Sequence, residues 1–118
     1  MKRMVVGVLA LAAAVSVVAT AQARTQKHTL LAQVNVAASE FKFVLNKKSA
    51  KRGVVIFKVT NVGTVSHDFS INGRKTKMLN HGQSDTLRVT FVRKGAYPYK
   101  CTVPGHAAAG MKGVFTIS

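Results

Sequence analysis

The chain closes on Cys101-Thr-Val-Pro-Gly-His106-Ala-Ala-Ala-Gly-Met111-Lys-Gly-Val-Phe-Thr-Ile-Ser118. This stretch holds the only cysteine, one of the four histidines and one of the four methionines, each separated from the next by four residues. The intervening residues are small, apolar or turn-forming. A thiolate, imidazoles and a weak thioether together suit copper, in a site of two His, one Cys and a distant axial Met. The stretch therefore predicts three ligands, Cys101, His106 and Met111, and requires a second histidine from elsewhere.

The segment Ser66-His67-Asp68-Phe69 offers that second histidine. Side chains two residues apart share one face of a strand, so His67 is expected to point inward with Phe69, while Cys101 ends another inward face. Pro104-Gly105 bends the chain behind Cys101, which lets His106 return to the same point. The sequence thus predicts that His67, Cys101, His106 and Met111 meet near one end of a β domain.

Short apolar runs separated by turn signals predict an all-β protein. The runs either alternate with polar residues or are rich in β-branched residues, and strong turn signals such as Asn72-Gly73 lie between them. The predicted strands include residues 41–45, 54–60, 67–71, 87–91, 97–101 and 114–118. No amphipathic helix of normal length is expected after residue 23. About seven such strands indicate an antiparallel β-sandwich.

The closing loop also resembles that of a known family. Tyr97-x-Tyr99-x-Cys101-Thr-x-Pro-Gly-His106, followed by Gly110-Met111-x-Gly113, is similar to the copper loop of cupredoxins, the blue copper proteins that include plastocyanin, azurin and sulfocyanin. The resemblance covers about residues 34–118 and implies a Greek-key sandwich that binds one Cu(I)/Cu(II) ion. It implies the copper ligands His67, Cys101, His106 and Met111.

One residue departs from the family pattern. Many cupredoxins carry Asn after the first histidine ligand, where this chain has Asp68. In the family that residue ties the two ligand loops together, and its backbone N–H reaches the Cys sulfur. Asp68 is expected to do both, with a side-chain bond to Thr102. Its negative charge would favour Cu(II) and lower the reduction potential.

The start of the chain predicts export. Residues 1–23 resemble a secretory signal peptide, with Lys2 and Arg3 before an apolar stretch and an Ala21-Gln22-Ala23 cleavage site. The alternative is a retained anchor, because residues 4–21 are uncharged over a length at the lower edge of a membrane span. Residues 24–33, including the surface residue His28, are expected to form a flexible leader before the cupredoxin domain at 34–118. The predicted location is periplasmic or otherwise extracytoplasmic.

The strong positive charge predicts the class of partner. Without residues 1–23 the chain has 16 basic residues against Glu40, Asp68 and Asp85, a net charge of +13. Such a protein is attracted to acidic surfaces. An acidic redox protein, such as a c-type cytochrome or an oxidase subunit, is expected to dock over His106, which lies among small apolar residues. We expect a monomer that binds no nucleic acid, and a peripheral contact with an anionic membrane surface is left open.

Three functions remain compatible with the residues. The first is a one-electron carrier that is not an enzyme, the second is copper storage or delivery, and the third is a basic binding module whose apparent ligands are core residues. Zinc would accept one Cys and two His but gains little from Met. His81 is a weaker candidate for the first ligand, and Met78 for the axial one, because no strand pattern aims His81 inward.

Overall fold

A computed structural model describes residues 2–4, 7, 12–16 and 31–118. The predicted cleavage site at residues 21–23, most of the leader and His28 lie outside these residues. The first strand begins at Ala32, within the range assigned to the leader. Among the described residues, no helix has the length and apolar character needed to span a bilayer.

The described part of the chain forms nine strands in two sheets, which confirms the predicted all-β sandwich. One sheet has the order β2-β1-β4-β7 and the other β3-β9-β8-β5-β6. The strands are β1 (Ala32–Ser39), β2 (Lys42–Leu45), β3 (Ser49–Ala50), β4 (Gly53–Asn61), β5 (Ser70–Ile71), β6 (Arg74–Lys75), β7 (Ser84–Phe91), β8 (Gly95–Lys100) and β9 (Lys112–Ile117).

Two details differ from the sequence-based expectation. Both sheets are mixed, because β1 pairs with β4 and β3 with β9 in parallel. The chain leaves the first sheet after β2, adds β3 to the other sheet, and then returns as β4 in the direction of β1. The strand count is nine rather than about seven, since β3, β5 and β6 are only two residues long and carry too few residues to show a period.

The longest strand, β4, was expected as a buried run rich in β-branched residues, and it buries every second residue. In β4, Val55, Phe57 and Val59 are buried while Lys58 faces solvent. The Phe57 ring lies at the centre of the core, with ring centroids 5.3 Å from both Phe69 and Phe115. Each large apolar side chain removed from water in this way contributes about 1.5–3 kcal/mol. The sandwich therefore has a continuous aromatic core, which gives the loops at its ends a rigid support.

The Asn72-Gly73 turn joins β5 to β6 as predicted. Both residues have positive φ, 50° at Asn72 and 72° at Gly73. A type I′ hairpin turn needs positive φ at both central positions, which Asn and Gly adopt most readily.

Strand directions gather one set of loops at a single end of the sandwich, called here the site end. The register pairs Ser39 with Lys42, Ala38 with Asn61, and Lys100 with Lys112, so the β1–β2 turn and the loops after β4 and β8 all lie there. Ala38 in β1 shares one buried cluster with Cys101, which follows β8 of the other sheet, so the loops of the two sheets lie close together. The turns at 51–52 and 92–94 lie at the opposite end.

Candidate metal centre

Three of the four predicted ligands converge at the site end. The Nδ1 atoms of His67 and His106 are 3.1 Å apart, and Cys101 Sγ is 3.6 Å from His106 Nδ1. All three donor atoms lie within 4.8 Å of one another. Zinc binds imidazole N and thiolate S at about 2.0–2.3 Å, so two donors that share one such ion lie roughly 3–4 Å apart, as do the two measured pairs. The combination of one thiolate and two imidazoles suits copper.

The loop that carries Cys101 and His106 is closed by its own backbone. The Cys101 N–H donates to Met111 O and the Met111 N–H donates to His106 O, each at 3.1 Å. Gly105 and Gly110 have φ of 84° and 118°, values that other residues rarely adopt. The loop is therefore short and internally bonded, as its small residues predict.

Met111 is completely buried and packs in a small cluster with Cys101 and Ala38. It lies where the closing loop enters β9, on the same side of the domain as the three converging donors. This position agrees with an axial thioether, and ligation by Met111 stays a prediction.

His67 points inward as predicted, but it does not lie in a regular strand. The predicted strand at 67–71 is wrong in its first part, since only Ser70–Ile71 forms β5. His67 instead forms an isolated bridge with Leu79, exchanging N–H···O bonds of 3.0 and 2.8 Å. The Phe69 N–H donates to Thr76 Oγ1. Residues 76–79 therefore hydrogen-bond to residues 67–69 as a neighbouring strand would.

Asp68 makes the predicted connection between the two ligand loops. Its Oδ1 accepts the Thr102 N–H at 2.6 Å, and its Oδ2 accepts the Thr102 hydroxyl. Burial raises the pKa of the Cys101 thiol, and the backbone N–H groups of Asp68 and Val103 act in the opposite direction. A buried thiol of this kind needs a metal ion or another strong partner to become a thiolate.

The surroundings of His67 favour its neutral form, which is the form that binds a metal. Burial, and next the proximity of His106, lower the pKa of His67. Its imidazole is therefore neutral and carries one proton, which leaves one nitrogen lone pair free for a metal. The side chain is completely buried.

Two further residues at the site were not identified from the sequence. Glu40 and Phe41 form the turn between β1 and β2. The Glu40 Oε1 atom is 3.7 Å from His67 Nε2, and the Phe41 ring meets His106 edge-on at a centroid distance of 5.3 Å. Phe41 has a φ of 60°, which is uncommon for a residue other than Gly, Asn or Asp. No local pattern announces these contacts, because they depend on how distant segments meet.

The Glu40 carboxylate has a strongly shifted pKa. Backbone N–H bonds from Val65, and next from Thr64, lower it from its ordinary value of 4.5 to about 2. Because the pKa is lower in the folded state, these bonds stabilise the fold above about pH 4.5 and are lost as the pH falls towards 2.

The weaker ligand candidates lie elsewhere. The Nδ1–H of His81 donates to Gly63 O at 2.6 Å, so this histidine supports a loop. Met78 is 48% exposed on the surface. Within residues 31–118, His67, Cys101 and His106 are the one group of three His, Cys, Asp or Glu side chains placed to share a metal ion.

Comparison with known proteins agrees with the chemistry of this site. The family of copper-binding proteins described as the plastocyanin/azurin family matches residues 16–118, which is most of the chain. A segment of 43 residues is 46% identical to auracyanin-B of Chloroflexus aurantiacus. That match covers 36% of this chain and only 18% of the length of auracyanin-B.

Two solved structures share the fold. The structure of auracyanin B has a TM-score of 0.66 and 26% identity, covering 73% of this chain and 88% of its own. Dithionite-reduced auracyanin from Roseiflexus castenholzii has a TM-score of 0.65 and 24% identity, covering 73% of this chain and 96% of its own.

Proposed function

The chain belongs to the plastocyanin/azurin family of copper-binding proteins, and on this premise we propose that it is a blue copper protein that carries one electron at a time between redox partners. The observation that supports this most strongly is the convergence of buried His67, buried Cys101 and half-buried His106. Copper supplies the one-electron chemistry by changing between Cu(I) and Cu(II). The protein supplies the geometry in which that change occurs.

In this proposal each ligand has a separate role. His67 and His106 would hold the copper through Nδ1 lone pairs, Cys101 through a thiolate, and buried Met111 would add a weak thioether that tunes the potential. Two loops carry the four residues, and Asp68 joins these loops through Thr102. A site held in this way changes little between oxidation states, which favours fast electron transfer.

We propose that the protein is an electron carrier rather than an enzyme. Lys100 and Thr102 flank Cys101, so the chain lacks a histidine beside the cysteine that could pass electrons to a second copper centre. We also propose that the protein works outside the cytoplasm, which rests on the signal-like sequence of residues 1–23.

The surface around His106 supports docking of a redox partner. His106 is half-buried, while Pro104, Ala108 and Ala109 next to it are exposed and small. Phe41 extends this apolar surface, being 46% exposed with its ring against His106. A partner can approach the imidazole closely here, because the closing loop presents no long charged side chain.

Two cations flank this surface and favour an acidic partner. Lys100 and Lys112 lie opposite each other on β8 and β9 at the site end, and both are exposed. A second group of cations lies at the opposite end, where Lys51, Arg52 and Lys94 line a shallow groove with Ser118. The two groups allow the position of docking to be tested.

We expect the double variant Lys100→Glu/Lys112→Glu to lower the second-order rate of electron transfer with an acidic c-type cytochrome by about tenfold or more at low salt. Stopped-flow mixing at increasing ionic strength measures this rate, and the difference between wild type and variant should shrink as salt screens the charges. The variant should keep the wild-type visible spectrum.

The matched control is Lys51→Glu/Arg52→Glu, which makes the same change of charge at the opposite end and should alter the rate far less. Equal losses in the two double variants would place docking elsewhere. If the wild-type protein itself exchanges electrons slowly with every cytochrome tested yet binds copper tightly, copper storage or delivery replaces the carrier function.

A further inference from the structure

The turn between β1 and β2 places a carboxylate behind one of the proposed copper ligands. Glu40 Oε1 lies 3.7 Å from His67 Nε2, on the side of the ring away from the Nδ1 atom that faces His106. This separation is longer than a hydrogen bond and within the range of an electrostatic contact. The His67 ring is fully buried, and among the described residues its Nε2 is the one buried side-chain N or O atom without a hydrogen-bond partner.

The Glu40 carboxylate is held in place by the loop that leads to His67. Its Oε1 accepts the backbone N–H of Thr64 at 2.5 Å and of Val65 at 3.0 Å, together with the Thr64 hydroxyl at 3.2 Å. The side chain remains 39% exposed, yet one of its oxygens is fixed by three donors. The carboxylate that contacts His67 is therefore itself held in place by hydrogen bonds.

The loop is shaped to receive this carboxylate. A Cβ atom on Gly63 would collide with the Glu40 carboxylate in this position, so the glycine allows the close approach. The Gly63 N–H donates to the Oδ1 of buried Asn61 at 2.9 Å, and its carbonyl accepts from His81. Asn61 and His81 thus fix the backbone of Gly63, next to the Glu40 carboxylate.

We propose that Glu40 is a positioning residue for the copper site, whose carboxylate keeps the proton of His67 on Nε2 and so leaves the Nδ1 lone pair directed at the metal. A histidine ligand commonly gives its other N–H to a carboxylate or carbonyl, which fixes the tautomer and makes the ligand more basic. The inference rests on the ligand set proposed above and needs no particular redox partner.

The surroundings of both groups agree with this role. Three donors surround the Glu40 Oε1 atom and favour the charged carboxylate. An imidazole that offers Nδ1 to a metal carries a single ring proton, which must lie on Nε2. A negative charge beside Nε2 favours that proton on Nε2 rather than on Nδ1.

Replacing Glu40 by glutamine removes the charge while keeping an oxygen that accepts the Thr64 and Val65 N–H groups. We expect Glu40→Gln to weaken Cu(II) binding by about tenfold or more, the usual effect of losing such a partner. If Cu(I) affinity is unchanged, a tenfold loss raises the one-electron reduction potential by about 59 mV. Equilibrium redox titration of the copper-loaded protein measures this shift.

Asp85→Asn is the matched control. Asp85 also accepts two backbone N–H groups, from Lys77 at 3.0 Å and Thr86 at 2.9 Å, and its replacement removes the same charge without touching a ligand. The potential of this control should change far less than that of Glu40→Gln. Equal shifts of the reduction potential in the two variants would mean that Glu40 acts only through its charge, and would overturn the inference.

A second readout follows the tautomer itself. In the reduced Cu(I) protein, nitrogen-15 NMR should show the Nε2–H of His67 in slow exchange with water, and exchange should become faster in Glu40→Gln but not in Asp85→Asn. An unchanged exchange rate would also contradict the proposal. If Glu40→Gln is too unstable to bind copper, Glu40→Asp should shift the potential in the same direction but less, because it keeps the charge and withdraws it by one methylene.

These measurements separate the inference from the proposed function. Neither the redox potential nor the proton-exchange rate depends on a redox partner, so slow electron transfer to a cytochrome leaves both measurements valid. Conversely, a protein that carries electrons rapidly can still show no effect of Glu40→Gln, in which case only the positioning role fails.

Discussion

Replacing Cys101 by serine is expected to abolish the intense thiolate-to-copper absorption while the β-sandwich survives. Cys101 is the only cysteine, so no other side chain can supply a thiolate. Its side chain is 99% buried in a small cluster outside the main aromatic core, so a hydroxyl in its place leaves the core intact. The visible spectrum after addition of Cu(II) measures the first effect, and circular dichroism the second.

Met111→Leu is the appropriate comparison, since it alters the same cluster but keeps the thiolate. That variant should remain blue with a raised potential, because a weak axial ligand tunes the metal rather than holding it. A Cys101→Ser protein that stays intensely blue would show that the ligand assignment is wrong. A Met111→Leu protein that loses copper would show that Met111 is a structural ligand.

Replacing Asn61 by alanine should destabilise the fold by about 2–4 kcal/mol, since each buried polar group left without a partner costs about 1–3 kcal/mol. The Asn61 side chain is fully buried. Its amide donates to the carbonyls of Val65 and Leu79, each at 2.8 Å, and its oxygen accepts the Gly63 N–H. It therefore joins the two segments that enclose His67, and urea titration of the metal-free protein measures the loss.

Asn46→Ala provides the control for this stability change. Asn46 Oδ1 accepts one bond, from the Asn35 N–H at 2.8 Å, in an exposed position where water can replace it. Its loss should cost about 0.5–1.5 kcal/mol. Copper affinity should also fall in Asn61→Ala and not in Asn46→Ala. Similar destabilisation in both variants would mean that the loop before His67 does not depend on Asn61.

Strands that show clear alternation of apolar and polar residues could be predicted from the sequence, as β7 illustrates. Residues 87–91, with inward Leu87, Val89 and Phe91, announce β7 because each strand face repeats every second residue. The parallel pairing of β1 with β4 was not predictable in this way. It depends on where the chain goes between them, and the two-residue strand β3 that redirects the chain carries no period of its own.

The candidate site shows the same division between local and distant information. Cys101, His106 and Met111 belong to one short loop, so their spacing alone predicts that they meet. His67 required strand geometry, and the structure brings it to the same place through Leu79 rather than through a regular strand. Glu40 was not predicted because its hydrogen-bond partners, Thr64 and Val65, lie 24 and 25 positions further along the chain. No turn signal in the sequence indicates that it faces His67.

The visible and EPR spectra of the protein loaded with one equivalent of Cu(II) test the account most directly. A copper ion held by the thiolate of Cys101 and the imidazoles of His67 and His106 should give an intense blue absorption and a narrow copper hyperfine splitting. A pale protein with the wide splitting of copper bound only to nitrogen and oxygen would contradict the account, because it would show that the three converging side chains do not form a blue copper site.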